Sequence, residues 1–374
     1  MRIAMLGHKR IPSREGGVEV VVEELAVRMV EKGHRVTCYN RSGHHVSGKN
    51  FDGEQLKTYQ GVTLKTVPAI QKKGLAAMTA SLFASVIAAF GKYDVVHFHT
   101  EGPCATLWLT KLMGKRCVVT VHGLDHQRNK WGKLAKAYIL LGEKCAARFA
   151  DEIIVLSKNV QEYFLNTYRR KTWYIPNGIV PSVPMDADLI ERVYGLKANE
   201  YILYLGRITP EKGIHYLIEA YKSLKTDKKL VIAGGTSDSK DYEEKLKALA
   251  NGRDNILFTG FVQGQMLTEL YSNAYLYVLP SDLEGMPLTL LEAMSYGNCC
   301  VISDIAECTE VLGPNGVSFE MANTEDLKMK LQMLCDDGQL VNEYREKVAA
   351  HIGEKLSWAE VTERTLSVYE EKLK

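Results

Sequence analysis

"LYLGRITPEKGIHYLIEA", residues 203–220, predicts a strand, a turn and a helix in direct succession. The apolar strand pattern ends at Gly206, and the helical pattern begins near Lys212. The start of the chain has the same layout, with a strand over residues 3–6 and a helix over residues 18–30. A strand that leads through a glycine-containing turn into a helix is typical of doubly wound parallel sheets. The two copies of this layout predict two such sheets.

Short apolar strand patterns alternate with helical patterns along the whole chain. In the first half they cover residues 3–6, 35–39, 62–67, 94–98, 117–121, 152–156 and 172–175. In the second half they cover residues 201–205, 229–233, 255–258, 275–279 and 299–303. Apolar strands separated by helices form parallel sheets that are covered on both faces. The predicted fold class is therefore α/β, with two Rossmann-like doubly wound parallel-sheet domains facing a central cleft.

The boundary between the two series is marked by "PNGIVPSVPMDAD", residues 176–188. Its three prolines and one glycine indicate a loop or linker. We predict an N-terminal domain over residues 1–180 and a C-terminal domain over residues 181–356. An amphipathic pattern predicts a last helix over residues 357–374, and we expect it to cross back onto the first domain.

The composition is that of a soluble globular protein, with 374 residues of which 46% are hydrophobic and 25% charged. Its eight cysteines are scattered, without a C-x-x-C pair, which indicates a reducing compartment and argues against a disulfide or zinc framework. The start of the chain has no cleavable signal pattern. The longest apolar tract, residues 75–90, is shorter than the roughly 20 residues that span a bilayer, so it is predicted to be a buried helix. We expect a cytoplasmic protein.

Charge is unevenly distributed between the two halves. Residues 1–190 have a formal net charge of +11, whereas the remaining residues have a formal net charge of −9. A basic half indicates contact with something anionic, such as nucleic acid, a phosphorylated ligand or a membrane surface. The alternative is an uneven distribution of charge without functional meaning.

Gly16 and Gly17 precede the first helix in "GHKRIPSREGGVEVVVEEL", residues 7–25. Glycine allows close approach of a ligand, and the N–H groups at a helix N-terminus attract anions. The pattern is not G-x-G-x-x-G, which disfavours a nicotinamide cofactor. A tight turn without a ligand is the alternative.

Arg207 and Lys212 flank the corresponding turn of the second domain, at the carboxyl end of a strand. A planar guanidinium together with a compact ammonium group is suited to binding a diphosphate. The alternative is two cations without a ligand at the surface.

"SDLEGMPLTLLEAMSYG", residues 281–297, contains Glu284 in a loop and Glu292 within a predicted helix. Pro287 is suited to the first helical turn, because its missing N–H is not needed there. The apolar residues around Glu292 predict a mostly buried helix. The two glutamates are either functional or simply solvated.

Two neighbouring predicted strands end in histidines, His97 and His99 on one and His122 on the other. An H-x-H pair can bind a metal, but no matching Cys, Asp or His cluster is evident in the sequence. A hydrogen-bonding role at the cleft is therefore predicted. The chain also has no Walker A loop and no G-x-S-x-G elbow.

The whole chain resembles the family 4 retaining glycosyltransferases, which have the two-Rossmann (GT-B) fold. The resemblance rests on the Gly-Gly turn, His122, "IPNGI", "GRITPEKG", "FTGFV" and the E-x7-E block of Glu284 and Glu292. It implies that the first domain takes the acceptor and the second takes the nucleotide sugar.

The resemblance also implies roles for individual residues. Glu284 would accept hydrogen bonds from the donor sugar, and Glu292 from the ribose. Arg207 and Lys212 would neutralise the departing diphosphate, so no metal and no other cofactor is expected. The remaining donor-binding positions implied by the resemblance are Gly16 and Gly17 at the diphosphate, Phe261 and Val262 at the base, and backbone groups at Gly285, Met286, Leu288 and Thr289.

His122 would contact the sugar near its reacting face, which completes a catalytic set with Glu284, Arg207 and Lys212. Many relatives read E-G-F-G-L-P-L-L-E, whereas this chain has Met286, Pro287 and Thr289 in that segment. Pro287 removes one amide donor from the segment.

The predicted function is transfer of a hexose-type sugar from a nucleotide diphosphate, most simply UDP, with retention at the anomeric carbon. The predicted acceptor is a glycan or a polyprenyl-diphosphate-linked molecule in cell-surface polysaccharide or glycolipid synthesis, and nucleic acid is not a predicted partner. The basic clusters at residues 72–73 and 169–171 suggest peripheral contact with an anionic membrane at its inner face, or else a solvated surface. A nucleotide-sugar epimerase of the same fold and a non-catalytic sugar-nucleotide sensor are the alternatives.

Overall fold

The computed structural model describes residues 1–45, 56–72, 74–128, 131–236, 240–352 and 357–371. The chain forms two compact units, one of residues 1–178 with 357–374 and one of residues 179–356. Each unit is an α/β structure built on its own, largely parallel sheet. The predicted fold class of two Rossmann-like parallel-sheet domains is confirmed.

The first sheet has the strand order β3-β4-β2-β1-β5-β6-β7-β8. Its strands are β1 (Arg2–Leu6), β2 (Arg35–Arg41), β3 (Thr58–Tyr59), β4 (Val62–Val67), β5 (Val95–His99), β6 (Arg116–Val121), β7 (Glu152–Val155) and β8 (Trp173–Tyr174). All neighbours pair in parallel except β3 and β4, which are antiparallel. The order of the chain reverses between β1 and β5, which makes their carboxyl ends the switch point of this sheet.

The second sheet is entirely parallel, with the strand order β11-β10-β9-β12-β13-β14. Its strands are β9 (Tyr201–Leu205), β10 (Lys229–Ala233), β11 (Ile256–Gly260), β12 (Leu276–Leu279), β13 (Cys300–Ser303) and β14 (Val317–Phe319). Every residue of β9 and β12 is buried, as expected for central strands covered on both faces. Here the order reverses between β9 and β12, so a ligand is expected at the carboxyl ends of these two strands.

Helices connect the strands of both sheets. In the first unit they are α1 (Gly17–Glu31), α2 (Leu75–Phe90), α3 (Leu107–Leu112), α4 (Lys133–Phe149) and α5 (Lys158–Tyr168). In the second they are α6 (Leu189–Tyr194), α7 (Ile214–Lys222), α8 (Lys240–Ala250), α9 (Gln265–Ser272), α10 (Leu288–Ser295), α11 (Ala306–Leu312), α12 (Thr324–Asp336) and α13 (Gly338–Ile352). The last helix, α14 (Trp358–Glu370), follows the second unit in sequence.

The last helix packs in the first unit, against α1. The Tyr369 hydroxyl lies 2.8 Å from Nδ1 of His97, and a guanidinium nitrogen of Arg116 donates to the Val368 carbonyl at 2.9 Å. A Cβ atom at Gly178 would lie 2.6 Å from the Trp358 nitrogen, so only glycine allows this close approach of the two backbones. The chain therefore begins and ends in the same unit.

The prediction that residues 75–90 form a buried helix is correct for the helix and wrong for its burial. Ala80, Ala84 and Ala88 are buried, but Phe83 and Phe90 are 44% and 75% exposed. The apolar content suggested two buried faces, whereas small alanines fill one face and the large side chains lie on the other. No helix among the described residues has both the length and the apolarity needed to cross a membrane.

Candidate active site

The turns that follow β9 and β12 are held together by backbone contacts. The N–H of Asp282 donates to the Glu211 carbonyl at 2.9 Å. Gly213 has a φ of +63°, and a Cβ atom there would lie 1.9 Å from the Pro280 carbonyl oxygen. Only glycine fits this conformation and this distance, so Gly213 brings the two turns together at the switch point. We expect any larger residue at position 213 to separate them.

Lys212 and Glu284 form a buried ion pair between these two turns. Lys212 Nζ lies 2.6 Å from Glu284 Oε1, and the Ser281 hydroxyl donates to the same oxygen at 2.6 Å. Lys212 is 7% exposed and Glu284 6%. Two opposite charges taken out of water need close pairing and further hydrogen bonds, and this arrangement supplies both. The structure thus joins two residues that were selected from separate motifs.

Arg207 lies at the carboxyl end of β9 and is half-buried. The hydroxyl of the buried Tyr204 donates to the Arg207 carbonyl at 2.9 Å, which fixes the first residues of the turn. Arg207 and Lys212 therefore belong to the same short turn, as predicted, with the lysine in the buried ion pair.

Glu292 is half-buried on α10, facing α9. The Tyr271 hydroxyl donates to Glu292 Oε2 at 3.1 Å, and the Tyr296 ring stacks on Tyr271 with centroids 5.4 Å apart. The helix begins at Leu288, so Pro287 is the residue before the first turn rather than within it. The amides of Leu290 and Leu291 donate to the Pro287 carbonyl, while Leu288 and Thr289 open the helix. Gly285 and Met286 lead into this N-terminus, where N–H groups attract anions.

Phe261 and Val262 follow β11, which is two strands away from β9 in the sheet. Both side chains are half-buried, and Val262 packs against the core of the second unit. They therefore occupy the same edge of the sheet as Arg207 but lie away from the switch point.

Gly16 caps the N-terminus of α1 in an extended conformation, and Gly17 is its first helical residue. The first turn of this helix contains a buried carboxylate, Glu19. The Glu19 side chain accepts a hydrogen bond from the Lys9 amide at 2.8 Å. A Cβ atom at Gly16 would lie 2.8 Å from Glu19 Oε2. The sequence prediction did not include Glu19.

The three predicted histidines lie side by side in the first unit, with the His97 and His99 ring centroids 4.2 Å apart and a hydrogen bond between His99 and His122. His99 Nδ1 lies 3.0 Å from His122 Nε2, and His97 contacts Thr120 and Tyr369 inside the core. Burial lowers the pKa of His122 to about 4 and that of His97 to about 3. These two rings are therefore neutral near pH 7, so each can donate from one nitrogen and accept at the other. His97 is fully buried, so its predicted hydrogen-bonding role is directed to the core.

A cluster that sequence reasoning missed lies near the carboxyl ends of β5 and β6. It consists of Glu101, His126 and Glu143, whose possible ligand atoms lie within 4.8 Å of one another. His126 Nδ1 lies 3.0 Å from Glu143 Oε2, and the Tyr163 and Tyr168 hydroxyls donate to Glu143 Oε1. Burial raises the pKa of Glu101, which favours its neutral form. The residues are 25 and 17 positions apart, which is not a local metal-binding pattern.

The free energy of unfolding is expected to fall as pH decreases from 6.5 to 5. Burial lowers the pKa values of His8, His97 and His122 from 6.5 to about 4, 3 and 4. The stability they contribute is complete above pH 6.5 and is lost as pH falls towards these folded-state values. Each histidine should contribute a loss of about 1.5 kcal/mol over this range. The raised pKa of Glu101 acts in the opposite direction and offsets part of this loss.

Urea unfolding of the whole chain at pH 7.5, 6.5 and 5.0 measures this effect. His97→Gln should reduce the slope with pH, whereas the same change at the exposed His44 should not. Stability that stays constant or rises towards pH 5 in the unsubstituted protein would show that the buried histidines are not neutral.

Two family models match this chain. "Glycosyl transferases group 1" matches residues 186–351, and "Glycosyltransferase Family 4" matches residues 15–183. The two matches together cover most of both units. With the two parallel-sheet units and their strand orders, they define a glycosyltransferase of the GT-B fold. The chain belongs to the family 4, group 1 glycosyltransferases, which confirms the resemblance found in its sequence.

Individual relatives support this membership. An uncharacterised glycosyltransferase of Methanocaldococcus jannaschii is 28% identical over 99% of this chain and 98% of its own length. The UDP-Gal:alpha-D-GlcNAc-diphosphoundecaprenol alpha-1,3-galactosyltransferase of Escherichia coli is 31% identical over 57% of this chain and 58% of its own length. Among solved structures, Anabaena HepE in complex with UDP-glucose superimposes with a TM-score of 0.81 at 18% identity, covering 99% of both chains. That likeness establishes the fold.

Proposed function

We propose that this glycosyltransferase moves a hexose-type sugar from UDP to a glycan or polyprenyl-diphosphate-linked acceptor, with retention at the anomeric carbon. The observation that carries the proposal is the buried Lys212–Glu284 ion pair between the turns after β9 and β12. A ligand of a doubly wound sheet binds at this switch point. In this proposal the cation of the pair serves the diphosphate and the neighbouring carboxylate serves the sugar.

Lys212 and Arg207 are suited to stabilising the leaving diphosphate. Negative charge grows on the diphosphate as the glycosidic bond breaks, and preorganised cations lower the barrier most at that point. One N–H of Lys212 binds Glu284, and an ammonium group has two more for phosphate oxygens. The N–H groups at the start of α10 would add further donors.

Glu284 is suited to orienting the sugar. Lys212 and Ser281 both bind Oε1, so Oε2 would accept a sugar hydroxyl. Glu292 would accept from the ribose hydroxyls, and Tyr271 fixes its orientation. Phe261 and Val262, further along the same edge of the sheet, would contact the base. In the first unit, His122, Gly16 and Gly17 would face the sugar and diphosphate.

The acceptor proposal rests on a relative and on charge. The Escherichia coli relative is named for a UDP-sugar donor and a diphosphoundecaprenol acceptor. The first 190 residues of this chain have a formal net charge of +11, which suits an anionic acceptor. We place the reaction at the inner face of a membrane, where a cytoplasmic enzyme would meet such an acceptor through peripheral contact. Synthesis of cell-surface polysaccharide or glycolipid follows from this placement.

Transfer is expected to persist in excess EDTA, because Arg207 and Lys212 take the place of a divalent ion at the diphosphate. The test incubates the enzyme with a panel of UDP-sugars and a short-chain polyprenyl diphosphate acceptor, with and without EDTA, and identifies the products by mass spectrometry. We expect UDP and an acceptor one sugar heavier under both conditions.

Each alternative gives a different result in this assay. Loss of transfer in EDTA that returns with magnesium or manganese would contradict metal independence. A changed sugar nucleotide without a heavier acceptor would indicate an epimerase. If the protein binds a donor but converts none of the UDP-sugars in the panel, it is a sensor.

A further inference from the structure

The outward face of α2 is apolar over its whole length. Its large exposed side chains recur at helical spacing and are Leu75, Leu82, Phe83, Val86, Ile87 and Phe90. The opposite face, with Ala80, Ala84 and Ala88, packs on the sheet. Since α2 contains no charged residue, nothing interrupts this exposed stripe. Exposed apolar surface of this extent indicates a binding surface.

The neighbouring helix extends the apolar surface. α2 packs against α3, and α3 packs against α4. Trp108 is 43% exposed on α3, and Leu112 and Met113 at its end are 76% and 48% exposed. We call the exposed side chains of α2, α3 and α4 the α2–α4 face.

Basic side chains accompany this apolar surface. Residues 68–150 contain 12 Lys and Arg but only four Asp and Glu. Of the four acids, Glu101 and Glu143 are fully buried, Asp94 pairs with Arg2, and Asp125 pairs with Arg128. The exposed cations of the face and its N-terminal edge are Lys72, Lys133, Lys144 and Arg148. Lys73, the other member of the predicted basic pair, lies outside the described residues.

An exposed apolar helix face, with exposed cations before it in the chain and on a helix beyond its neighbour, is complementary to an anionic lipid surface. Acyl chains take up the apolar side chains, and anionic headgroups attract each lysine or arginine near the surface. A second copy of the same face would instead bring like charges together. The alanine face of α2 stays packed on the sheet, so only its outward half can enter the lipid.

We propose that the α2–α4 face docks the enzyme on anionic membrane, with Phe83, Ile87 and Phe90 among the acyl chains and the exposed cations named above on the headgroups. The proposal deepens the proposed function, on which it rests for the lipid-linked acceptor. It assigns the membrane partner to a defined surface of the first unit. The catalytic residues of the second unit take no part in docking.

Co-sedimentation with vesicles tests this surface without any donor or acceptor. Vesicles of phosphatidylcholine alone and with one-third phosphatidylglycerol are compared at low and high salt. We expect the protein to bind the acidic vesicles at least about tenfold more tightly, and to lose most of that preference at high salt. Equal binding to both vesicle types, or binding to neither, would overturn the proposal.

Two variants separate the apolar and ionic contributions. Phe83→Gln/Phe90→Gln and Lys133→Glu/Lys144→Glu should each weaken binding to acidic vesicles about tenfold or more. The matched controls, Met329→Gln/Met333→Gln and Lys245→Glu, change exposed residues of the second unit and should bind as the unsubstituted protein does. Unchanged binding of either test variant would overturn the proposal.

Two further readouts distinguish the remaining outcomes. Transfer to a water-soluble acceptor analogue should be unchanged in both test variants, because neither touches the proposed active site. If no variant or control transfers sugar while vesicle binding behaves as expected, the proposed function fails and the docking surface stands. If light scattering without vesicles shows a dimer that Phe83→Gln/Phe90→Gln makes monomeric, the face binds a second copy and the membrane proposal is overturned.

Discussion

Replacing Glu284 with Gln is expected to lower the rate of sugar transfer about a thousandfold while the affinity for UDP changes only a few-fold. Removing one preorganised electrostatic contact to the reacting groups costs about 100- to 1000-fold in rate. In the proposed function, Glu284 binds the sugar, whereas Arg207, Lys212 and Glu292 bind the nucleotide. The Gln side chain still has an oxygen that can accept from Lys212 and Ser281, so the turns should stay together.

Calorimetry with UDP and a turnover assay measure the two parts of this expectation. Glu219→Gln is the matched control, because Glu219 is exposed on α7 in the same unit. Its rate and UDP affinity should equal those of the unsubstituted protein. Complete loss of UDP binding in Glu284→Gln would show that Glu284 serves the nucleotide and that its assignment to the sugar is wrong.

Replacing Lys212 with Met is expected to lower the rate about 100- to 1000-fold and to weaken UDP binding as well. The substitution removes a cation from the proposed diphosphate site and leaves the Glu284 carboxylate buried without its ionic partner. Breaking a buried ion pair in this way costs about 3–5 kcal/mol of stability. Lys225→Met, at an exposed position of the same unit, should change neither rate nor stability.

The double variant Lys212→Met/Glu284→Gln separates the catalytic loss from the loss of stability. It removes both charges, so it should be more stable than Lys212→Met while remaining as inactive. Thermal unfolding of the two single variants and the double variant completes the cycle. A double variant less stable than either single variant would show that the two side chains do not interact as the structure has them.

The strands of the core were predictable because parallel strands covered on both faces are continuous apolar runs. The predicted bounds of the strands from β9 to β13 differ from the observed ones by no more than two residues. β14 was missed because it has three residues, of which Ser318 is exposed. β3 has two residues at a sheet edge, which is too short for a periodic pattern.

Parts of the candidate site were predictable for a different reason. Arg207 and Lys212 follow a strand that the sequence defines well, and a parallel sheet gathers the carboxyl ends of its strands at one edge. The contact between Lys212 and Glu284 spans 72 positions and depends on β9 lying beside β12. Strand order of this kind is a property of tertiary packing. The Glu101 cluster was missed because long-range packing, and not local spacing, brings its residues together. Glu19 could have been found, because it lies in the first turn of the helix that Gly17 begins and contacts Lys9 only ten positions away.

Proton NMR of the reaction with EDTA tests the proposed transfer most directly. The donor is the UDP-sugar that is transferred fastest in the panel, and spectra are recorded from the start of the reaction. We predict that the anomeric signal of the donor is replaced by one product signal with the same anomeric configuration, in equal amount to the UDP released. A product of inverted configuration, or a new sugar nucleotide without free UDP, would contradict retaining transfer.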